Sequence, residues 1–398
     1  MKKYAKKTPE RTTNLGFILM PTMGAEDMPD SSDIKKGLIS EKLSIIAPDL
    51  SQRDTIYNLP WNQINVIDLS NMRGCLTSFG RYQGILDRLY DYVAIQKEKG
   101  HTISVIPEFE TIDWISSKAT YLKYIIEKNI PTIPTKSLCC LENIKNASII
   151  AQPNNFETMF NDMRIFMARS LTNRFVLKPS TSSLGRGLIF IDRAPEKNGY
   201  IVSIPMEGQE SSQVFFKDFK TLEKYLITYF TNTPSPDHHF LFQEYIPNIE
   251  ISAVFINGTP HFIKRTQGGN SYIAHARYGG TDTYIHDPDR DMVSFVFKIM
   301  NILPKNIQNS PFLRIDVMKN TNTSKYIFSE IEGAGATRLW LKSANRVNDY
   351  IQMLKSLTST KQRTSTETLF TTASAKHFMI DKKISLISDN QKKSHREI

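Results

Sequence analysis

Apolar positions in this chain recur with two periods. Short continuous apolar runs at Leu15–Pro21, Asn65–Leu69 and Thr102–Pro107 have the texture of buried strands, the first of them stopped by proline. Within Phe79–Lys99, Ile85, Leu86, Leu89, Tyr90, Val93 and Ile95 fall close to helical spacing, and Gly100 follows as a residue just past a helix end should. This strand–helix–strand alternation predicts a small parallel α/β domain. A second helical stripe (Trp114, Ile115, Tyr121, Leu122, Ile125, Ile126) predicts one amphipathic helix over Trp114–Lys128. The Ile-Pro-Thr-Ile-Pro-Thr that follows reads as extended, because each proline biases its predecessor away from the helical region.

After Thr135 strand-like runs dominate: Arg174–Lys178, Leu188–Asp192, Tyr200–Ile204, Phe240–Tyr245, Ile251–Ile256 and His261–Arg265. Asp218–Phe230 is the one helix expected among them, and Phe295–Leu303 is expected as another. Phe312–Met318 and Lys325–Glu332 predict a strand pair across the turn Asn320–Ser324. Such a pattern suggests antiparallel sheets with helices on one side. Beyond about Leu357 the chain is rich in Ser, Thr and Lys, and a solvated tail is expected.

Composition narrows the classes. At 398 residues and 40% hydrophobic, the chain can bury a core, which excludes wholesale disorder. Fifty basic against 40 acidic residues give a net charge of +10, favouring phosphates, nucleotides or nucleic acid as partners without choosing among them. No apolar run approaches the ~20 residues of a membrane span. The basic N-terminus is not followed by an apolar segment, which argues against secretion. Three cysteines (Cys75, Cys139, Cys140) make neither a disulfide framework nor a zinc spacing and suit a reducing cytoplasm.

Three clusters carry candidate chemistry. In the first, a β-run delivers Lys178, and a small-residue loop follows with Ser180, Thr181, Ser182, Ser183, Gly185 and Gly187. Such a loop can lie over a polyphosphate while the lysine adds a fixed charge, although a Gly/Ser loop between strands is also an ordinary hairpin. The lysine precedes the glycines, so this is not a Walker A loop. In the second cluster, Phe240–Ile246 and Glu250–Ile256 are β-runs joined by a bend. Backbone groups at such a strand end can pair with an adenine edge, and a carboxylate there can accept ribose hydroxyls. Equally, Glu244 and Glu250 could be solvated turn residues.

The third cluster is the most informative. Alternate strand residues share a face, so Arg314 points with Asp316, and Glu330 with Glu332. If the two strands pair, three carboxylates and one guanidinium converge. Hard oxygens near phosphate suit Mg²⁺, whereas crowded carboxylates without a cation would have raised pKa values. An exposed acidic hairpin edge is the alternative. Lys264-Arg265 reads as a solvated face. Arg277, before Gly279-Gly280, sits in a loop able to approach a ligand, whereas His275 reads as structural.

In this order the three clusters resemble the ATP-grasp superfamily, and within it the carboxylate–amine ligases of the D-alanine–D-alanine ligase, glutathione synthetase and cycloserine-pathway types. The resemblance spans roughly Val66–Leu341. It includes Trp114-Ile-Ser-Ser-Lys118-Ala-Thr-Tyr121-Leu122 followed by Asn129-Ile-Pro-Thr-Ile-Pro-Thr135. It implies an α/β plus α+β architecture, with an N-terminal parallel α/β domain and two α+β subdomains clamping a nucleotide. The implied division is a loose arm at 1–14, the α/β domain at 15–112, the ATP-grasp part at 113–343 (a lid at about 136–242, a metal-binding part at about 243–343), and a C-terminal helix and tail at 344–398.

By the same resemblance, Lys118 and Lys178 would touch ATP phosphates, with Ser182, Ser183, Gly185 and Gly187 over them. Gln243, Glu244, Tyr245 and Ile246 would form the adenine hinge, and Glu250 would hold the ribose. Arg314, Lys178 and Arg277 would act on the reacting groups. Asp316, Glu330 and Glu332 would hold two Mg²⁺ ions, with Mn²⁺ as an alternative. Many family members have Asn where this chain has Glu332; a carboxylate there still suits Mg²⁺.

The activity implied is ATP-dependent joining of a carboxylate to an amine on a small-molecule, amino-acid or peptide substrate. A phosphotransferase acting on a hydroxyl is the first alternative. A basic nucleic-acid-binding protein is the second, and the lack of aromatic–basic alternation argues against it. A homodimer is left open.

Overall fold

The structure, a computed structural model, describes residues 16–19, 32–46, 55–70, 79–139, 153–181, 187–206, 211–233, 235, 239–267, 280–321, 323–333 and 346–359. The chain begins with β1 (Gly16–Leu19), α1 (Ser32–Ser40), β2 (Leu43–Ile46), β3 (Ile64–Asp68), α2 (Phe79–Glu98) and β4 (Ser104–Ile106). The four strands form a parallel sheet in the order β2-β1-β3-β4. The expected β3–α2–β4 crossover is present. Ile85, Leu86, Leu89 and Val93 of α2 pack with Leu19, Ile67 and Leu69.

The helix expected over Trp114–Lys128 is two helices, α3 (Phe109–Ser116) and α4 (Lys118–Glu127). Ser117 between them is extended (φ −104°, ψ 111°) and caps α4. A serine that takes the N-cap role must leave the helical region, so the helical stripe is broken into two axes without losing its apolar face.

Next come β5 (Thr135–Cys139), α5 (Pro153–Arg169), β6 (Arg174–Pro179), β7 (Ile189–Ala194), β8 (Gly199–Ile204), β9 (Ser212–Phe216), α6 (Phe219–Asn232) and β10 (His239–Glu244). Their strands make an antiparallel sheet in the order β5-β10-β6-β7-β8-β9. Phe156, Met159, Phe160, Met163 and Met167 of α5, with Leu222, Leu226 and Phe230 of α6, cover one face of it.

A second antiparallel sheet follows, ordered β13-β12-β11-β14-β15. Its strands are β11 (Asn248–Ile256), β12 (Thr259–Thr266), β13 (Thr281–Tyr284), β14 (Phe312–Asn320) and β15 (Tyr326–Glu332). Between β13 and β14 lie α7 (Arg290–Ile302) and the short α8 (Lys305–Gln308). β11 and β12 join through Asn257-Gly258, both at positive φ (48° and 79°), the geometry that a tight two-residue hairpin requires. No helix among the described residues is long and apolar enough to cross a membrane.

The last described element, α9 (Val347–Ser359), packs on both ends of the fold. Tyr350, Ile351, Met353 and Leu354 meet Ile18, Val66 and Ile106 of the parallel sheet, and Val254, Ile256, Ile263 and Phe312 of the five-stranded one. At its centre the buried Tyr350 hydroxyl donates to Asp68 Oδ2 (2.6 Å) and lies 2.7 Å from Ser70 Oγ. Tyr350→Phe should therefore cost about 1–3 kcal/mol, the usual penalty for stranding a buried polar group. Urea unfolding reads this, and an unchanged midpoint would refute it.

The start of α9 is held by His261, whose Nδ1 accepts from Arg346 Nε (3.1 Å). Burial, then the Arg346 charge, push the His261 pKa below its ordinary 6.5, against a smaller opposing pull from Asp349. The folded state thus keeps this imidazole neutral where the unfolded chain would protonate it. Stability is full above pH 6.5 and falls as pH drops below it. Unfolding midpoints measured from pH 7.5 to 5 should show this slope, and His261→Gln should flatten it.

Candidate functional site

Strand alternation splits the five-stranded sheet into two faces. On one, Ile251, Ala253, Phe255, Leu313, Ile315, Val317, Phe328 and Ile331 pack with residues of α3, α4 and α7. On the other, Val254, Ile256, Ile263 and Phe312 meet α9 and the parallel sheet. Further along that second face the same strands present Glu250, Ser252, Arg265, Arg314, Asp316, Glu330 and Glu332. A register shift after Asp316 leaves Arg314 opposite Glu332 and Asp316 opposite Glu330. The face is apolar where it is covered and charged beyond that cover.

The charges are paired in detail. Arg314 grips Asp316 with both arms of its guanidinium, Nε to Oδ1 at 2.9 Å and Nη2 to Oδ2 at 2.8 Å. Its Nη1 lies 2.9 Å from Glu332 Oε2. Lys118, the first residue of α4, places Nζ 2.9 Å from Glu330 Oε1. Arg265 pairs with Glu250, and its side chain reaches within 4.0 Å of both Asp316 and Asp282. Arg314 and Asp316 are almost wholly removed from solvent, with side chains 5% and 2% exposed.

Burial opposes the charge of every member, and the neighbours decide the outcome. Burial works against the Arg314 charge, but Asp316 and Glu332 hold its pKa above the ordinary guanidinium value. For Glu330, burial would raise the pKa, yet Lys118 and Lys178 bring it well below the usual carboxylate range. Glu332 goes the other way: burial, together with Glu330 and Asp316, raises its pKa despite Arg314. Burial also raises Glu250, against Arg265. Lys178 is pushed down, first by burial and also by Lys118, while Glu330 pulls it up. The Tyr121 hydroxyl, buried and within the field of Glu330 and Glu332, is raised well above its usual value.

The structure therefore brings together Lys118, Lys178, Glu250, Arg314, Asp316, Glu330 and Glu332. Gln243 is buried at the end of β10, its Nε2 donating to Thr135 Oγ1 (2.8 Å). The amides expected to meet a base edge are in part already used: Glu244 N–H donates to Pro134 O (3.0 Å) and Tyr245 N–H to Arg174 O (2.9 Å). The Glu244 carboxylate, half-buried, accepts from Ser170 Oγ. Ile246 follows in the link to β11.

Gly187 has φ +70°, and a Cβ there would meet Thr233 Cγ2 at 2.8 Å, so a glycine is required; Tyr229 Oη donates to its carbonyl. Ser182, Ser183, Gly185, Arg277 and His275 lie outside the described residues.

Two readings change. Lys264-Arg265 is not a solvated pair: Lys264 is exposed, whereas Arg265 is 7% exposed and belongs to the charged face. The signal was the alternation of β12, in which Ile263 and Arg265 share a face. Ser117 and Ser180 were also missed as partners, and no spacing in the sequence could have paired them.

A divalent cation fits the donor chemistry here, since the carboxylates are hard oxygen ligands, and burial with the neighbouring Glu330 and Asp316 raises the Glu332 pKa, a burden that a cation would relieve. Among the described residues, however, no three such side chains are gathered closely enough to hold an ion. Arg314 lies between Asp316 and Glu332, and Lys118 occupies Glu330.

No protein-family profile matches the chain, and no curated protein is similar to it in sequence. Solved structures are. The chain is similar to D-cycloserine synthetase DcsG at 13% identity and a TM-score of 0.56, over 86% of this chain and 99% of that one. It is similar to a D-alanine–D-alanine ligase from Bacillus anthracis complexed with ATP (15%, TM-score 0.52, 86% and 96%). It is also similar to the ATP-grasp ligase PsnB complexed with a minimal precursor (10%, TM-score 0.51, 86% and 99%).

The fold is that of the ATP-grasp ligases. At these identities the likeness is one of architecture, and it matches the α/β plus α+β arrangement implied by the sequence. In ATP-grasp terms, the six-stranded sheet carries Lys178 and the five-stranded sheet carries the acids.

Proposed function

We propose that the protein is an ATP- and Mg²⁺-dependent ligase that joins a carboxylate to an amine through an acyl phosphate. The observation that carries this reading is the convergence of Lys118, Lys178 and Arg314 on Asp316, Glu330 and Glu332 across two sheets. A protein that only needed stability would gain little from so many buried charges, because desolvation offsets much of their attraction.

The residues have distinct tasks in this reading. Lys118 and Lys178 hold the ATP phosphates, and Glu250 accepts the ribose hydroxyls. Gln243–Ile246 adjoin the base, the Gly187 loop with Ser182, Ser183 and Gly185 covers the phosphates, and Arg277 approaches the reacting groups. Asp316, Glu330 and Glu332 would hold the divalent cation (one ion or two, Mg²⁺ or Mn²⁺), and the cation would supply charge neutralisation on the phosphates. Arg314 neutralises the transferring phosphoryl group.

The substrate carboxylate oxygen bonds to the γ-phosphorus as the bond to ADP breaks. The amine then bonds to the acyl carbon, orthophosphate leaves with the bonding pair, and the amine releases its proton. Positioning and charge neutralisation supply the catalysis, with no protein nucleophile. The division at 15–112, 113–343 and 344–398 and a cytoplasmic location belong to the same proposal. The substrate class is a small molecule, amino acid or peptide, in keeping with the named neighbours: a D-cycloserine synthetase, a D-alanine–D-alanine ligase and a ligase seen with its precursor.

The test is ADP release over a panel of amino acids and peptides with Mg²⁺, with mass detection of new amides. Amide and orthophosphate appearing in step with ADP support a ligase. Phosphate retained on a hydroxyl of the acceptor would make the protein a kinase instead.

A further inference from the structure

The two phosphate lysines come from different elements, one a strand and the other a helix, and something must set their separation. Lys178 lies near the end of β6, and Lys118 opens α4. A helix start leaves its first amides without intrahelical acceptors. In α4 the helix's own cap is weak, since Thr120 N–H reaches Ser117 Oγ only at 3.4 Å. The first two amides are instead taken by Ser180, two residues beyond Lys178. Ala119 N–H donates to Ser180 Oγ (2.9 Å) and Lys118 N–H to Ser180 O (3.3 Å).

Ser117 Oγ adds a contact to Ser180 Oγ at 3.2 Å. Ser180 is fully buried, and its own N–H donates to His239 O (2.9 Å), which fixes it to β10. One residue thus caps the helix that begins with Lys118 while ending the strand that carries Lys178.

We infer that Ser180 is a positioning residue which caps α4 from the neighbouring sheet and so holds Lys118 and Lys178 at the spacing that grips the ATP phosphates. This rests on the reading of those lysines as phosphate-holding groups. The hydroxyl is committed to the α4 backbone, accepting from Ala119 N–H. Its effect passes through the α4 backbone to Lys118, and through Pro179, whose ring restricts the chain, to Lys178. A cap that served stability alone would act on every ligand equally, whereas a spacing device acts only on ligands that carry phosphates.

The experiment is equilibrium binding of ATP and of adenosine to the full chain with Mg²⁺, alongside a thermal melt. For Ser180→Ala the ratio of ATP to adenosine affinity should fall about tenfold, the scale of one well-placed hydrogen bond, with adenosine affinity unchanged. Ser180→Thr keeps the hydroxyl and should restore most of the ratio. Ser117→Ala, which weakens the same contact from the other side, should shift the ratio in the same direction by less, and it keeps the test alive if Ser180→Ala does not fold.

A wild-type ratio in Ser180→Ala, or in Ser117→Ala should that be the variant measured, would overturn the inference. So would equal losses for ATP and adenosine. Lys178→Met separates the two levels. If it collapses the ratio while the serine variants do not, the positioning role alone falls. If it leaves the ratio unchanged, the phosphate reading falls and takes the positioning role with it.

Discussion

Replacing Arg314 with methionine is expected to abolish ATP turnover and to destabilise the fold by about 3–5 kcal/mol, the range for removing one partner of a buried ion pair. The guanidinium is the common partner of Asp316 and Glu332, and its own side chain is only 5% exposed. Without it, two enclosed carboxylates face each other and Glu330. Both would then favour protonation, so the variant should recover stability as the pH is lowered into the carboxylate range.

Arg314→Lys should rescue little, because an ammonium cannot reproduce the paired Nε and Nη2 contacts to Asp316. Urea unfolding at pH 5 and 7.5, with ADP release on the same samples, measures both effects. A wild-type midpoint at pH 7.5 would refute the account of the buried network.

Glu332→Ala should lose turnover on the order of 10³-fold with no loss of stability, the opposite stability signature from Arg314, its direct partner in the same network. Burial and like charge already raise the pKa of this carboxyl. A carboxyl whose folded pKa is raised opposes folding as the pH climbs through its unfolded value toward the folded one. Removing it relieves that opposition, and Arg314 keeps its two-armed hold on Asp316. Denaturant midpoints at or above wild type together with near-complete loss of ADP release are the expected pair of results. Turnover close to wild type in Glu332→Ala would count against its place among the metal carboxylates.

Much of this architecture was legible because it is local. The period-two runs of β6, β10, β11 and β14 and the helical stripe of α2 follow from which residues can share a face, and that needs no knowledge of distant neighbours. The stripe of α5, at Phe156, Met159, Phe160, Met163 and Met167, was present too; reading 136–242 as strands with one helix overlooked it. The strands β5 and β13 are mostly polar and β9 is largely exposed, so no buried apolar run marks them.

What the sequence determined by itself was the placing of Arg314 with Asp316 and of Glu330 with Glu332, since alternation along a strand is a property of the backbone. Tertiary structure alone decided which cation each acid meets. It also turned Arg265 inward to Glu250 and broke the helix at Ser117 so that Ser180 could cap it. Those outcomes depend on approach between segments that are not adjacent along the chain. Their energies are set by burial and by the charges that burial brings together, and neither is written in local order.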